Sequence, residues 1–205
     1  VDKARELDIP LIEDNPYGDL RFEGEAPLPL AARNPEGVLY MGSFSKVLAP
    51  GLRLGFVVAP KSVYGKLVQA KQAADLHTPS FNQRVVAEVM KDGFLDRHIP
   101  TIRTLYKNQR DAMLAALDQE MVGLGVSWTR PVGGMFLWVQ LPEGMDAQKL
   151  LPLAVERGMA FVPGAPFFPG NPQHNCLRLS YVTVPPAQIA QGIAALAAAI
   201  KAYAQ

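Results

Sequence analysis

Hydrophobic residues in the first sixty positions fall in three short, near-continuous runs: Ile9–Glu13, Val38–Met41 and Leu52–Ala59. Each is bounded by Pro, Gly, Asn or Ser, and such runs predict strands covered on both faces of a sheet. Beyond them the period lengthens. Val63, Leu67, Val68 and Ala74 lie near one face of a helix predicted over 62–76, and Val85, Val86, Val89 and Met90 do so over 82–90. A longer stripe of Ile102, Leu105, Tyr106, Met113, Leu114 and Leu117 predicts a helix that starts at Pro100 and runs to Asp118.

After Met121 the pattern changes. Residues 126–130 and 135–141 flank Pro131-Val132-Gly133-Gly134 and predict two strands joined by a tight turn. Asp146 is placed to cap a helix through Glu156, although Pro152 strains its middle. Met159–Pro163 and Leu177–Val182 predict two more strands. Pro186–Tyr203 predicts an amphipathic helix with Ile189, Ile193, Leu196, Ile200 and Tyr203 on one side. There is no internal repeat. The change of pattern predicts an α/β unit over 1–99 and a smaller α+β unit over 100–205.

Composition narrows the function classes. The 205 residues are 49% hydrophobic, enough for a buried core. With 20 basic and 19 acidic residues the formal charge is +1, so no basic face points to nucleic acid. A lone Cys176 excludes an intramolecular disulfide framework and suits a reducing cytosol. His77, His98 and His174 are scattered, so no metal site is expected. The 17 Gly and 18 Pro imply many sharp turns. The apolar stretch Gly192–Ile200 is far short of the ~20 residues a membrane span needs. No charged leader precedes an apolar core, and the opening Val-Asp-Lys leads us to expect sequence upstream.

Candidate chemistry gathers after the predicted strands. Ser43-Phe44-Ser45-Lys46 follows Val38–Met41, with Pro50-Gly51-Leu52-Arg53 close behind. Ligands in α/β sheets bind just beyond the carboxyl ends of strands. Two hydroxyls and a guanidinium there make a phosphate cradle. A partly desolvated amine such as that of Lys46 can form a Schiff base with a carbonyl. A solvated loop explains the same residues. Asp14 and Tyr17 lie three apart across a Pro turn in Glu13-Asp14-Asn15-Pro16-Tyr17. Together they could serve a pyridine ring, and an ordinary turn also accounts for them.

Six segments in order carry a resemblance: IPLIEDNPYGDL, LYMGSFSKVLAPGLRLGFVVAP, QAKQAADLHTPSFNQ, RPVGGMFLWVQLP, AFVPGAPFF and LRLSYV. Together they resemble the fold type I, class I/II aminotransferases that use pyridoxal 5′-phosphate. The wording is most similar to the α-aminoadipate aminotransferase branch, which includes the aminotransferase-like domains of GntR/MocR-type regulators. The resemblance implies the C-terminal part of a three-layer α/β/α large domain, followed by a small α+β domain. It implies that Lys46 forms the Schiff base with the cofactor aldehyde. Asp14, as a buried carboxylate, pairs with the pyridine nitrogen, and Tyr17 serves the ring hydroxyl oxygen. Ser43, Ser45 and Arg53 bind the phosphate. Arg178 grips the substrate α-carboxylate, and Gly134 gives close approach beside the substrate. The implied reaction moves an amino group between an amino acid and a 2-oxo acid, in a cytoplasmic homodimer.

Three alternatives stay open: another pyridoxal-phosphate chemistry such as a lyase or decarboxylase, an effector-sensing domain of a transcriptional regulator, and a catalytically dead interaction fragment. The family's phosphate-turn glycine, ring-stacking aromatic and ring-hydroxyl Asn are not found before Asp14. This chain alone is therefore expected to expose apolar sheet faces and to bind the cofactor poorly.

Overall fold

The computed structural model describes residues 1–203, which divide into two compact units, Val1–Ile102 and a second from Arg103 onward. The first opens with a short helix, α1 (Asp2–Glu6), then β1 (Leu11–Asp14), a short helix α2 (Leu30–Arg33), β2 (Val38–Ser43) and β3 (Gly55–Val58). The strands form one sheet in the order β1-β2-β3, with β1 parallel and β3 antiparallel to β2. Two helices follow, α3 (Lys61–Asp75) and α4 (Ser80–Met90). Val38, Leu20, Val47, Leu54 and Val86 are this unit's buried hydrophobic residues.

Two sequence expectations need correcting here. The three strands are not covered on both faces: every residue of β3 is exposed, and β1 alternates half-buried with exposed. No described element closes over that surface, so Ile12, Phe56, Val57 and Val58 remain open to solvent. The run Leu52–Ala59 also breaks. Pro50–Leu52 forms a 3₁₀ turn, and Arg53 adopts a left-handed backbone (φ 52°, ψ 43°) before β3 begins.

The long helix α5 (Phe94–Glu120) starts six residues before the predicted Pro100, which lies inside it. The break that starts it is Asp92-Gly93, where both residues have positive φ (57° and 67°). Pro100 removes one amide donor from the ladder, and the helix continues through it.

In the second unit come β4 (Ser127–Trp128), β5 (Phe136–Gln140), α6 (Ala147–Val155), β6 (Val162–Pro163), β7 (Cys176–Ser180) and α7 (Pro186–Tyr203). The sheet order is β4-β5-β7-β6, with every pair antiparallel. Asp146 caps α6 as expected, its carboxylate accepting from the Gln148 amide at 2.8 Å. Leu137, Val139, Leu177 and Leu179 make one buried sheet face, and α5, α6 and α7 add Leu117, Leu150, Ile193 and Leu196 to the same core. The β4–β5 connection is wider than a tight turn. Pairing ends near Thr129, whose amide donates to Trp138 O at 2.9 Å, and Pro131 then has no amide to continue the ladder.

Candidate functional site

Parallel pairing of β1 and β2 matches Asp14 with Met41, so both strands end at the same edge of the first unit. The Asn15 amide extends the ladder by donating to Met41 O at 3.0 Å. Asp14 and Tyr17 therefore emerge beside Ser43-Phe44-Ser45-Lys46. β3 starts at that edge too, since Gly55 pairs with Ser43, and this brings Arg53 to the same end. Gly42 leaves room for the Phe56 ring: a Cβ there would sit 2.3 Å from its Cζ and would displace the ring.

The loop after β2 is tied down by its own polar atoms. Ser43 Oγ accepts from the Ser45 amide at 3.1 Å and donates to Leu54 O at 3.4 Å. The Phe44 amide also donates to Leu54 O, at 3.1 Å. Lys46, half-buried, places Nζ 5.6 Å from the centroid of the Tyr17 ring, so the structure brings these two together. Arg53 is exposed and its Nη1 donates to Pro50 O at 3.3 Å. Asp14 was expected to be buried and is exposed, because β1 is an edge strand with no described layer over its outer residues. Asn82, which sequence reasoning passed over, holds the Pro50–Leu52 turn from α4 by donating to Leu52 O at 3.0 Å.

The second unit carries the other two candidates. On β7, Leu177 and Leu179 face the core while Arg178 and Ser180 lie half-buried on the opposite face, as the alternation predicts. Arg178 is the ladder partner of both Trp138 and Val162. Its guanidinium carbon lies 4.1 Å from the Phe136 ring centroid and 4.9 Å from that of Phe167. Gly134 has φ +84° with open space where a Cβ would stand, so backbone conformation rather than crowding calls for glycine there.

The turn that carries Gly134 is held from beneath by groups that sequence reasoning missed. Arg110, 4% exposed, donates from Nη1 to Pro131 O at 2.5 Å and pairs through Nε with Asp111 at 2.7 Å. Buried Tyr181 donates its hydroxyl to Gly133 O at 3.2 Å, and burial pushes its phenol well above the ordinary tyrosine range, with Arg110 opposing the shift. Gln109 holds a second loop by donating to Val184 O at 2.8 Å. Their signal was available: Arg110 falls on the apolar stripe of α5, four residues after Tyr106 and three before Met113.

The histidines take no part in either group. His77 is exposed beside an open groove of about 660 Å³, and His98 stacks on Phe94 with centroids 5.1 Å apart. Cys176 is buried and free. Among the described residues no cluster of three or more His, Cys, Asp or Glu could hold a metal, and no helix is long and apolar enough to cross a membrane.

Comparison with known proteins adds a family. The pattern described as aminotransferase class I and II matches residues 1–196. Aromatic-amino-acid aminotransferase 1 of Thermococcus litoralis is 46% identical over 202 residues, covering 98% of this chain and 48% of that protein. The crystal structure of LysN, the α-aminoadipate aminotransferase of Thermus thermophilus, complexed with N-(5′-phosphopyridoxyl)-L-leucine, superposes with a TM-score of 0.91 at 47% identity. It is covered over 52% of its length by 98% of this chain. YisV, an HTH-type transcriptional regulator of Bacillus subtilis, is 31% identical over 198 residues, 96% of this chain and 40% of that protein. The chain thus spans about half the length of the relatives it matches.

Proposed function

The chain belongs to the class I and II aminotransferases, and from that premise we propose that it serves a pyridoxal 5′-phosphate-dependent transaminase. That enzyme moves an amino group between an amino acid and a 2-oxo acid. The observation that carries this reading is the placement of Lys46 over the Tyr17 ring, at the shared end of two parallel strands, with Ser43 and Ser45 in the same loop. The donor set fits the cofactor. Two hydroxyls and the Arg53 guanidinium suit a phosphate, the Asp14 carboxylate suits a protonated ring nitrogen, and the Tyr17 phenol suits the ring hydroxyl oxygen. The Lys46 amine suits an aldehyde.

When bound, pyridoxal phosphate supplies an electron sink for charge developing at the substrate α-carbon. The chain's own residues bind, orient and move protons. Lys46 Nζ would hold the cofactor aldehyde and, once freed by substrate, would take the proton from the substrate α-carbon as general base and give up a proton as general acid. Asp14 holds the ring-nitrogen proton in place. Arg178 binds the α-carboxylate, fixing the direction of the breaking C–H bond, and the Gly134 backbone allows close approach to the substrate.

The likeness to YisV favours one second reading, an effector-sensing domain of a GntR/MocR-type regulator, at 31% identity against 46% for the aminotransferase. Panels of amino acids and oxo acids separate the readings. Amino-group transfer supports the transaminase; elimination or decarboxylation products, or no turnover at all, count against it. Borohydride reduction of the cofactor-loaded enzyme should label the peptide containing Lys46, and a label on any other lysine overturns the assignment. A homodimer and a cytoplasmic location complete the proposal, supported by the family likeness and by the buried free thiol of Cys176. A monomer in sedimentation of the intact enzyme refutes the first.

A further inference from the structure

Arg178 differs from the other arginines of its unit. Arg110 donates from Nη1 to Pro131 O and forms an ion pair with Asp111, and Arg130 pairs with Asp118. The Arg178 side chain makes no hydrogen bond or ion pair among the described residues, although it is half-buried. What it touches is aromatic. Its guanidinium lies over the rings of Phe136, from β5, and Phe167, from the 3₁₀ turn Ala165–Phe167. Phe167 in turn meets Trp138 edge-on at 5.7 Å, and Trp138 meets Phe168 at 6.2 Å.

A ring face attracts a cation through its quadrupole but offers no lone pair to the guanidinium N–H groups. All five donors lie in the guanidinium plane, in a fork that matches a carboxylate. Two rings therefore restrain the group without occupying its donors or neutralising its charge. A carboxylate neighbour would do both, and would compete with an incoming anion.

We propose that Phe136 and Phe167 are positioning residues that hold the Arg178 guanidinium by ring contact and leave its N–H fork free for the substrate α-carboxylate, with Trp138 bracing Phe167. This rests on the aminotransferase reading, in which Arg178 takes that carboxylate. Alignment is maintained before substrate arrives, so less side-chain freedom is lost on binding.

The test uses the intact cofactor-loaded enzyme and two unreactive probes, 3-phenylpropionate and its neutral amide. Wild type should prefer the carboxylate, and Arg178→Ala should abolish that preference. Phe136→Leu and Phe167→Leu should each lower the preference ~3–10-fold and raise KM for amino acids by a similar factor, with the effect on KM rather than kcat. Phe167→Tyr, which keeps a ring, should restore both. Phe167 is 49% exposed, so its variants are expected to fold. If the leucine variants weaken carboxylate and amide equally, or neither, while Arg178→Ala still abolishes the preference, the positioning role is overturned and the aminotransferase reading stands. If Arg178→Ala leaves the preference intact, both fall.

Discussion

Of the described hydrophobic residues that are buried, 22 lie from Arg103 onward and 5 in Val1–Ile102, and the charged residues follow the same divide. In the second unit a four-stranded sheet and three helices bury an arginine and a tyrosine outright, and use them to brace a turn. In the first, a three-stranded sheet presents Asp14 and Arg53 on its surface and half-buries Lys46. The candidate catalytic groups sit on a thin platform in one unit and on a packed core in the other. Mutations should therefore separate cleanly: changes in the first unit move function with little effect on folding, whereas changes beneath the second unit's turn move folding first.

The largest expected effect tests the first half of that statement. Lys46→Ala should reduce transamination by the intact enzyme at least ~10³-fold, because general base and general acid are lost together. Thermal unfolding of the second unit should not shift, and a parallel loss of stability would break the distinction. Leu177→Ala, at a site 0% exposed, should destabilise the second unit by ~2–5 kcal/mol in denaturant unfolding. Val57→Ala in exposed β3 should stay within ~0.5 kcal/mol, and equal effects would show that the first unit is better packed than its exposure indicates. Arg110→Met should cost about 1–3 kcal/mol, since it removes the charged donor from the half-buried Pro131 O.

The smallest effect is a pH dependence. The Tyr181 phenol is pushed up by burial, so above pH ~10 the unfolded chain releases this proton while the folded one keeps it. Stability from this group is therefore complete below pH ~10 and falls as pH rises beyond it. Tyr181→Phe should flatten that decline in alkaline unfolding curves of the second unit, with no counterpart in the first. The 205-residue chain by itself should bind pyridoxal phosphate weakly, as expected for an exposed Asp14 and Arg53. A stoichiometric absorbance band from the chain alone would contradict this.

Legibility followed the same divide. The strand predicted at Leu177–Val182, the Asp146 cap and the stripe on α7 were readable because one face of each element is buried, so the pattern reports the packing. The continuous run at Gly55–Val58 carries no such report, since its residues are exposed in spite of their apolar character. Pro100 misled because a proline marks a helix start only where no stronger break lies upstream, and Asp92-Gly93 is that break. α1 and α2 were missed because five and four residues are too short to show a period. Within the site, residue types and order pointed to Asp14, Tyr17 and Lys46, and the stripe of α5 carried a signal for Arg110, whereas the contacts of Asn82 and of the rings over Arg178 join distant segments.

Arg53 has a further consequence for anyone redesigning this protein. A left-handed backbone at a residue with a Cβ is disfavoured by ~1 kcal/mol or more relative to glycine. A library selected only for thermal tolerance should therefore enrich Arg53→Gly, and in doing so discard the guanidinium assigned to the phosphate. Selection for heat resistance and selection for cofactor retention would pull this one codon in opposite directions.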